Sequence, residues 1–471
     1  LVFGNTAEKI PAYAFTSAQP ANITEITFGS NLKSIGDYAF QFTPVKTLAL
    51  PAVETVGAYA FNKCLSLETI TFGDKIKTIG ANAFNECSAL KSVNLPDSLE
   101  KIGNYAFYGC SALDNIVIPA IITDFGRYTF SRSGITKASF KEGTKTTGPF
   151  IFENCAKLET VYLPDSIEHL EENTFAGCTA LASVTLPKNL KTMDSYVLYQ
   201  CPITEIVLPD GLTNVPMCTF KSCLELDSIV IPDSVTSVGD SAFIDCKGLK
   251  SVTIGKNVET IGTNVFKNCE ALEEVYWNTG KVSSLNNSST FYNAGQGGTG
   301  INFVFGDGVE IIPDTIFYTS SSSNMPNLKS VTIPNSVKKF GTAAFRNCTT
   351  ITDIYYYGTE DNWNSIDFGS YNTEYLTNAT IHYIKAGTAT TLSGNVFTIV
   401  PTGIPAGSNI MLVCYKENAV TFVKQSVYSG SGNISVTVDK EYDDVKVFVW
   451  ETEAMSPVVK EPEDVILTTN N

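Results

Sequence analysis

The sequence is poor in the side chains from which catalytic and metal sites are most often assembled. It has two histidines, His169 and His382, three tryptophans and five methionines in 471 residues. A Ser-His-Asp triad or a zinc site of several imidazoles therefore has almost no material. Charge is sparse as well: 17% of residues are Asp, Glu, Lys or Arg, and their formal balance is −16. No Lys/Arg-rich stripe reverses that balance locally, so the surface repels phosphate backbones and anionic headgroups, and nucleic acid is not an expected partner. No stretch reaches the roughly 20 apolar residues that span a bilayer, so no membrane insertion is expected within this chain. The chain opens at Leu1 with neither a Met nor the charged and apolar regions of a signal peptide, which leaves open whether one has been removed.

What is plentiful is apolar residues (43%), glycine (34) and small polar residues, a composition suited to strands joined by tight turns. A chain of 471 residues outgrows one ordinary core, so it is either several domains or a solenoid whose core grows with length. Internal repetition decides for the solenoid. A Phe or its equivalent recurs at positions 15, 40, 61, 84, 107, 130, 152, 175, 198 (Leu), 220, 243, 266, 291, 317 and 345, mostly 21 to 23 residues apart. The intervals lengthen to between 25 and 28 only in the first step and the last three.

The clearest unit begins at Leu90. Val93 and Leu95, two apart, point inward from an extended segment while Ser92 and Asn94 point out. Pro96 ends that strand because it has no N–H to continue a ladder. Leu99 and Ile102 form a second inward pair, and Gly103, whose slot is glycine in nine of fifteen turns, is expected to let the backbone bend toward Phe107. One coil of about 23 residues cannot close a core, whereas stacked coils bury one continuously, with like residues in ladders roughly 4.8 Å apart.

The pattern L-x-x-V-x-I-P-x-x-V-x-x-I-G-x-x-A-F-x-x-C resembles the BspA-like leucine-rich repeat family of bacterial surface and secreted proteins, over about four-fifths of the chain. The resemblance implies a β-rich solenoid, a right-handed coil of about fifteen turns over residues 1–384, and a secreted or cell-surface location with adhesive roles toward host or bacterial partners. The segment from Ile354 through Trp363 to Tyr383 looks like a terminal turn of the family, about 351–384, which gives Trp363 a capping role. Leu1-Val-Phe-Gly4 aligns with Ile26-Thr-Phe-Gly29, so the chain opens inside a repeat; a preceding piece, or a partly exposed first coil, is expected because solenoid ends need a polar cap.

After Tyr383 the Phe period stops. Short β-rich runs at 396–400, 410–415, 420–423, 434–438 and 445–450, separated by turn residues, predict a small all-β sandwich over 385–471. It is similar to the small domain that often follows such repeats, whose V-x-V-F-V-W ending matches Val445 to Trp450. Asp439, Asp443 and Asp444 there suit either a Ca²⁺ site or, more plainly, an acidic hairpin turn.

Ten of the twelve cysteines (64, 87, 110, 155, 178, 201, 223, 246, 269 and 348) sit three residues after the ladder residue. Ala18, Thr43, Ser133, Ala294 or Ser320 fill the slot elsewhere, so it wants a small side chain and not a sulfur, and buried free thiols are expected rather than a ligand cluster. Cys218 is off register, and Cys218 with Cys223 is the pair to check for oxidation. His169 and His382 are expected at the surface. Carboxylates are abundant, but only the Ser/Asn/Gly-rich insertions Thr279 to Gly300 and Tyr318 to Pro326 depart from the period enough to build a pocket, and they read as mobile loops. No catalytic residue, metal or cofactor is expected.

A solenoid binds through the face its strands lay side by side. The outward positions there are mostly Ser, Thr or Asn, but several rungs carry Val117, Tyr162, Val207, Val230, Tyr276 and Tyr355. Exposed Val and Tyr on a flat sheet are enriched in interfaces, which makes Val117, Tyr162, Val207, Val230 and Tyr276 the candidate contact residues, with Tyr162 and Tyr276 as anchors. β-propensity alone is the plainer explanation. The expected function is non-catalytic binding, by a monomer, of a protein or glycan on a host or bacterial surface. A passive spacer is the first alternative, and a glycan-degrading enzyme a remote one.

Overall fold

The computed structural model describes residues 1–15, 23–285, 289–318 and 325–383 with their side chains, and beyond them only the backbone of eight strands between 387 and 469. Asp439, Asp443, the side chains of Asp444 and Cys414, Ala18, and the centres of both insertions lie outside the described residues.

From Leu1 to Tyr383 the chain coils, and each coil lays two short extended segments beside those of its neighbours. The longer segments pair in parallel, residue for residue, one period apart: Thr47↔Thr69, Thr69↔Ser92, Asn115↔Lys137, Lys137↔Thr160. They form a six-stranded sheet from Thr47–Leu50 to Thr160–Tyr162 and a seven-stranded sheet from Ser228–Ile231 to Thr380–Tyr383. The two-residue segments form a second stack, Lys9–Ile10 through Asp124–Phe125, in the same manner. Along Thr69–Phe72 the residues alternate out and in, so Ile70 and Phe72 enter the core while Thr69 and Thr71 face water, as the period of two requires.

The predicted Phe column is present. Phe61, Phe84, Phe107 and Phe130 stack in sequence order with ring centroids 5.3 to 5.4 Å apart and planes within 11°. All four are fully buried. The column is interrupted at Leu198, between Phe175 and Phe220, and resumes at Phe220 against Phe243, 5.1 Å away.

The glycine before each Phe serves a different end from the bend expected of it. None of the nine adopts a positive φ; instead a Cβ there would fall 2.1 to 2.7 Å from the preceding coil, for example 2.1 Å from the Asn104 nitrogen at Gly126 and 2.4 Å from the Ala81 nitrogen at Gly103. These glycines permit backbone-to-backbone approach. The left-handed turns are made by other residues, two before and two after the Phe: Tyr105 (φ 57°) and Gly109 (φ 69°), Tyr128 (φ 61°) and Arg132 (φ 55°).

Three coils lack that glycine in succession, with Glu171, Asp194 and Pro216 in its slot. There the regular pairing lapses. Residues 183–186 and 205–208 form no strand, and the second stack is divided, His169–Leu170 pairing with Thr192–Met193 apart from the three-stranded run that starts at Asn214–Val215.

The ends fit the sequence reading in part. Trp363 is buried on the short helix Glu360–Asn364, which Thr359 and Asn362 close with reciprocal capping bonds. Its ring meets Tyr356 and Phe368, both 5.2 Å away, and Phe340 at 6.0 Å, sealing the last coil. Leu1 and Val2 are exposed, while Phe3 stacks on Phe28 at 5.6 Å. The described ends of the first insertion are packed rather than loose: Thr279, Val282, Leu285, Phe291 and Ala294 are buried. After Tyr383 four of the five predicted β-rich runs fall within strands and the fifth, 434–438, matches the strand Ile434–Thr437 except at its last residue, which lies outside the described residues; the backbone forms two four-stranded sheets that are mainly antiparallel.

Because each coil contacts only its neighbours, replacing Phe107 by Ala opens a hole between two coils. The expected result is a loss of about 3–5 kcal/mol in the stability of the coils it joins, measured by urea unfolding against the unaltered chain.

Candidate ligand-binding face

Four of the five proposed contact residues stand where the sequence put them. Val117, Tyr162, Val207 and Val230 are 49%, 55%, 84% and 60% exposed, respectively, on the outward side of the strand face. Val117 and Tyr162 flank Ser139 in register. Val207 lies in the segment 205–208, which forms no strand, so the apolar line crosses the break between the two sheets. The Tyr162 hydroxyl donates to Glu142 Oε1 at 2.7 Å, and that bond raises its pKa above the ordinary phenol value.

Tyr276 is a correction. It is half-buried, its hydroxyl donates to Glu274 Oε2 at 2.9 Å, and burial, with the Glu274 charge, raises its pKa strongly. It belongs to a region where the outward positions close over: Thr253, Tyr276 and Val304 are half-buried and Thr332 is buried. Tyr355 is likewise half-buried and stacks on His382 at 4.8 Å. The exposed apolar line therefore ends near Val230.

Both histidines are less exposed than expected. His382 places Nε2 2.8 Å from Asp353 Oδ1. His169 is hydrogen-bonded through Nδ1 to Thr192 Oγ1 at 2.8 Å, and its Nε2 lies 3.4 Å from Asp194 Oδ2 and 3.9 Å from Glu171 Oε2.

A second aromatic surface was not foreseen from the sequence. The left-handed residues before each Phe stack between coils: Tyr13 on Tyr38 and Tyr38 on Tyr59 at 4.8 and 4.7 Å, then Tyr105 on Tyr128 at 4.9 Å and Tyr128 on Phe150 at 4.4 Å. The guanidinium of Arg127 sits 4.3 Å above Phe150. The signal was available, since these residues also recur with the Phe period, but a tyrosine two before a buried Phe looks like any exposed strand residue until its positive φ is known. Beside this surface, where the Phe column is broken, Glu153, Asn154, Asn173, Ala176, Gly177, Tyr196 and Tyr199 line an open cavity of about 240 Å³. Glu153 is its one carboxylate, so it does not hold the two-carboxylate arrangement of a glycosidase.

The cysteine column does more than fill space. In nine coils Sγ donates to the carbonyl of the ladder residue of the coil before, as Cys87 does to Phe61 (3.2 Å) and Cys110 to Phe84 (3.3 Å). Cys218 and Cys223 are both free, buried thiols. Burial pushes Cys110, Cys201 and Cys246 up to about 12 and Cys155 to about 11, which favours the neutral thiol over the reactive thiolate.

The family model described as BspA type leucine rich repeat region, in six copies, matches residues 8–136, 100–227, 213–352 and 289–399. The chain belongs to the BspA-type leucine-rich repeat family. A leucine-rich repeat protein from Bacteroides ovatus has a similar solved structure, with 27% identity over 75% of this chain and 88% of that one and a TM-score of 0.53. A leucine rich cell surface protein from Faecalibacterium prausnitzii matches at 23% identity, covering 78% of this chain and 92% of that one, with a TM-score of 0.34. The pneumococcal vaccine antigen PcpA matches at 18%, covering 82% and 78%, with a TM-score of 0.40. Among curated proteins none matches this chain. Like other members of the family, it is a repeat protein; none of its described helices is long and apolar enough to cross a membrane.

Two outcomes follow from this geometry. Replacing Tyr162 and Val207 by Ser changes stability by no more than about 0.5 kcal/mol each, as befits exposed positions, whereas Tyr276→Ser is expected to lower it by more; parallel urea titrations distinguish them. A thiol whose folded pKa is raised contributes stability that is complete below its unfolded value near 9 and is lost as pH climbs toward the folded value. The protein is therefore expected to lose stability progressively between about pH 9 and 12, and a Cys110→Ala variant to lose less over that interval, measured by thermal melting at each pH.

Proposed function

We propose that this BspA-type repeat protein is a non-catalytic binding protein that works at the cell surface or after secretion, and that it takes hold of a protein or glycan through the strand face around Val117, Tyr162, Val207 and Val230. The observation that carries this reading is the line of large apolar side chains left in water, of which Val207 is the most exposed. A sheet that merely needed β-formers is served by Thr and Ser, as Thr69 and Thr71 show. Val at outward positions gives the strand no more than Thr does and exposes more apolar area to water, and such area is what a partner's surface covers. The surface location is supported by the family and by the cell-surface description of the Faecalibacterium prausnitzii protein. A non-catalytic role is supported by the stacked core and by the single carboxylate of the cavity.

The test uses immobilised mucin and washed bacterial cells as probes. The chain is expected to bind at least one of them, and a Tyr162→Ser, Val207→Ser, Val230→Ser variant with unchanged melting behaviour to bind it at least tenfold more weakly. Equal binding by the folded variant would remove the strand face as the contact surface.

A further inference from the structure

The coils that break the repeat also bring together His169, Glu171 and Asp194, and we infer that these three residues form a binding site for a divalent transition-metal cation, with Zn²⁺ as the reference ion. One ligand atom from each residue lies within 4.8 Å of the other two, and the side chains are only partly exposed. Nε2 of His169 is 3.4 Å from Asp194 Oδ2 and 3.9 Å from Glu171 Oε2. Tetrahedral ligands at the usual zinc distance of about 2.1 Å are about 3.4 Å apart, so the His169–Asp194 edge already has the right length, the His169–Glu171 edge is somewhat long, and the Glu171–Asp194 edge, within 4.8 Å, is one that side-chain rotation has to close.

The surroundings favour coordination over an ordinary ion pair. Nδ1 of His169 is engaged by Thr192 Oγ1, which directs the ring so that Nε2 faces the carboxylates. Thr146 Oγ1 donates to the far oxygen of Glu171, 3.1 Å away, and the Glu171 backbone nitrogen donates to Thr147 Oγ1 at 3.0 Å. Supporting bonds of this kind orient the ligands of built metal sites. Among the described residues no Lys or Arg lies within salt-bridge range of Glu171 or Asp194. The nearby lysines Lys145 and Lys191 are held instead by Glu168, at 3.0 and 2.6 Å. Two neighbouring carboxylates thus face one imidazole with no lysine or arginine paired to either among the described residues, and a cation between them offsets their repulsion.

A second, independent observation comes from the repeat. The slot of Glu171 and Asp194 holds Gly in nine turns, Pro in three and Asn in one; a carboxylate occurs there only in these two consecutive coils. Both lie close to the one histidine of the column, where neighbouring coils have Thr146 and Thr192. The mixed nitrogen and oxygen set suits Zn²⁺ and its neighbours in the first row better than Ca²⁺ or Mg²⁺, which prefer oxygen alone. Three protein ligands at the surface leave a coordination position for water or for a carboxylate of a bound partner. The buried thiols, protonated at neutral pH, do not compete.

The full chain, stripped with a chelator, is titrated with ZnCl₂ by calorimetry in moderate salt. One saturable site per chain is expected, with affinity reduced at least tenfold in His169→Ala and in Asp194→Asn and unchanged in His382→Ala. Substituting Co²⁺ should give visible bands without thiolate charge transfer. Should His169→Ala fail to fold, Thr192→Val removes only the hydroxyl that orients the ring, and about tenfold weaker binding is expected with an unaltered melt. Absence of a saturable site in the unaltered chain, or equal affinity in the folded variants, overturns the inference and leaves the trio as an imidazole lying beside two carboxylates.

Discussion

Every part of this molecule depends on the close parallel approach of one coil to the next. A single 23-residue coil has neither enough apolar surface nor enough backbone partners to hold itself, so its hydrogen bonds are made to the residues one period away. The bonds from Gly103 nitrogen to Ile79 oxygen and from Gly126 nitrogen to Ile102 oxygen, 2.8 and 2.7 Å long, are typical. The Phe column, the cysteine column and the stacked tyrosines all follow from that repeat distance, because any residue type repeated in phase is brought within van der Waals reach of its copy.

The same constraint explains why departures from the repeat are informative. In the consecutive coils that carry Glu171, Asp194 and Pro216 in the glycine slot, the strand face loses its pairing at 183–186 and 205–208, the second stack is divided, and Leu198 replaces the ladder Phe. The exposed Val207, the open cavity beside Tyr196 and Tyr199, and the His169 cluster all belong to this one stretch. Regular coils supply length and rigidity; the irregular ones carry the chemistry that distinguishes this chain from a plain stack.

Much of this was legible in the sequence, for a physical reason: a period repeated fifteen times averages out local ambiguity, so Phe84, Phe107 and Phe130 could be stacked on paper, and the Ser/Thr alternation assigned inside and outside correctly. The strand-face residues Val117, Tyr162, Val207 and Val230 followed from the same alternation. What was missed depends on backbone detail that spacing does not carry. The role of Gly103 and Gly126 turns on an interatomic approach and not on φ, and the tyrosine stack depends on left-handed conformations at Tyr105 and Tyr128. Tyr276 was misjudged because the outward face closes over toward the C-terminal coils, a change of exposure that a repeat pattern cannot express. His169 looked like a solitary surface residue because its partners, two and twenty-five positions away, meet it only when the coils are stacked.

Hydrogen exchange read by mass spectrometry tests the dependence on coil-to-coil pairing most directly. Peptides covering Asn115–Ile118 and Ser228–Ile231, which are paired on the strand face, should exchange slowly, while those covering 183–186 and 205–208, which form no strand, should exchange markedly faster. Uniform protection across all four segments would contradict the dependence of protection on strand pairing between coils, and uniformly fast exchange would contradict the stack itself.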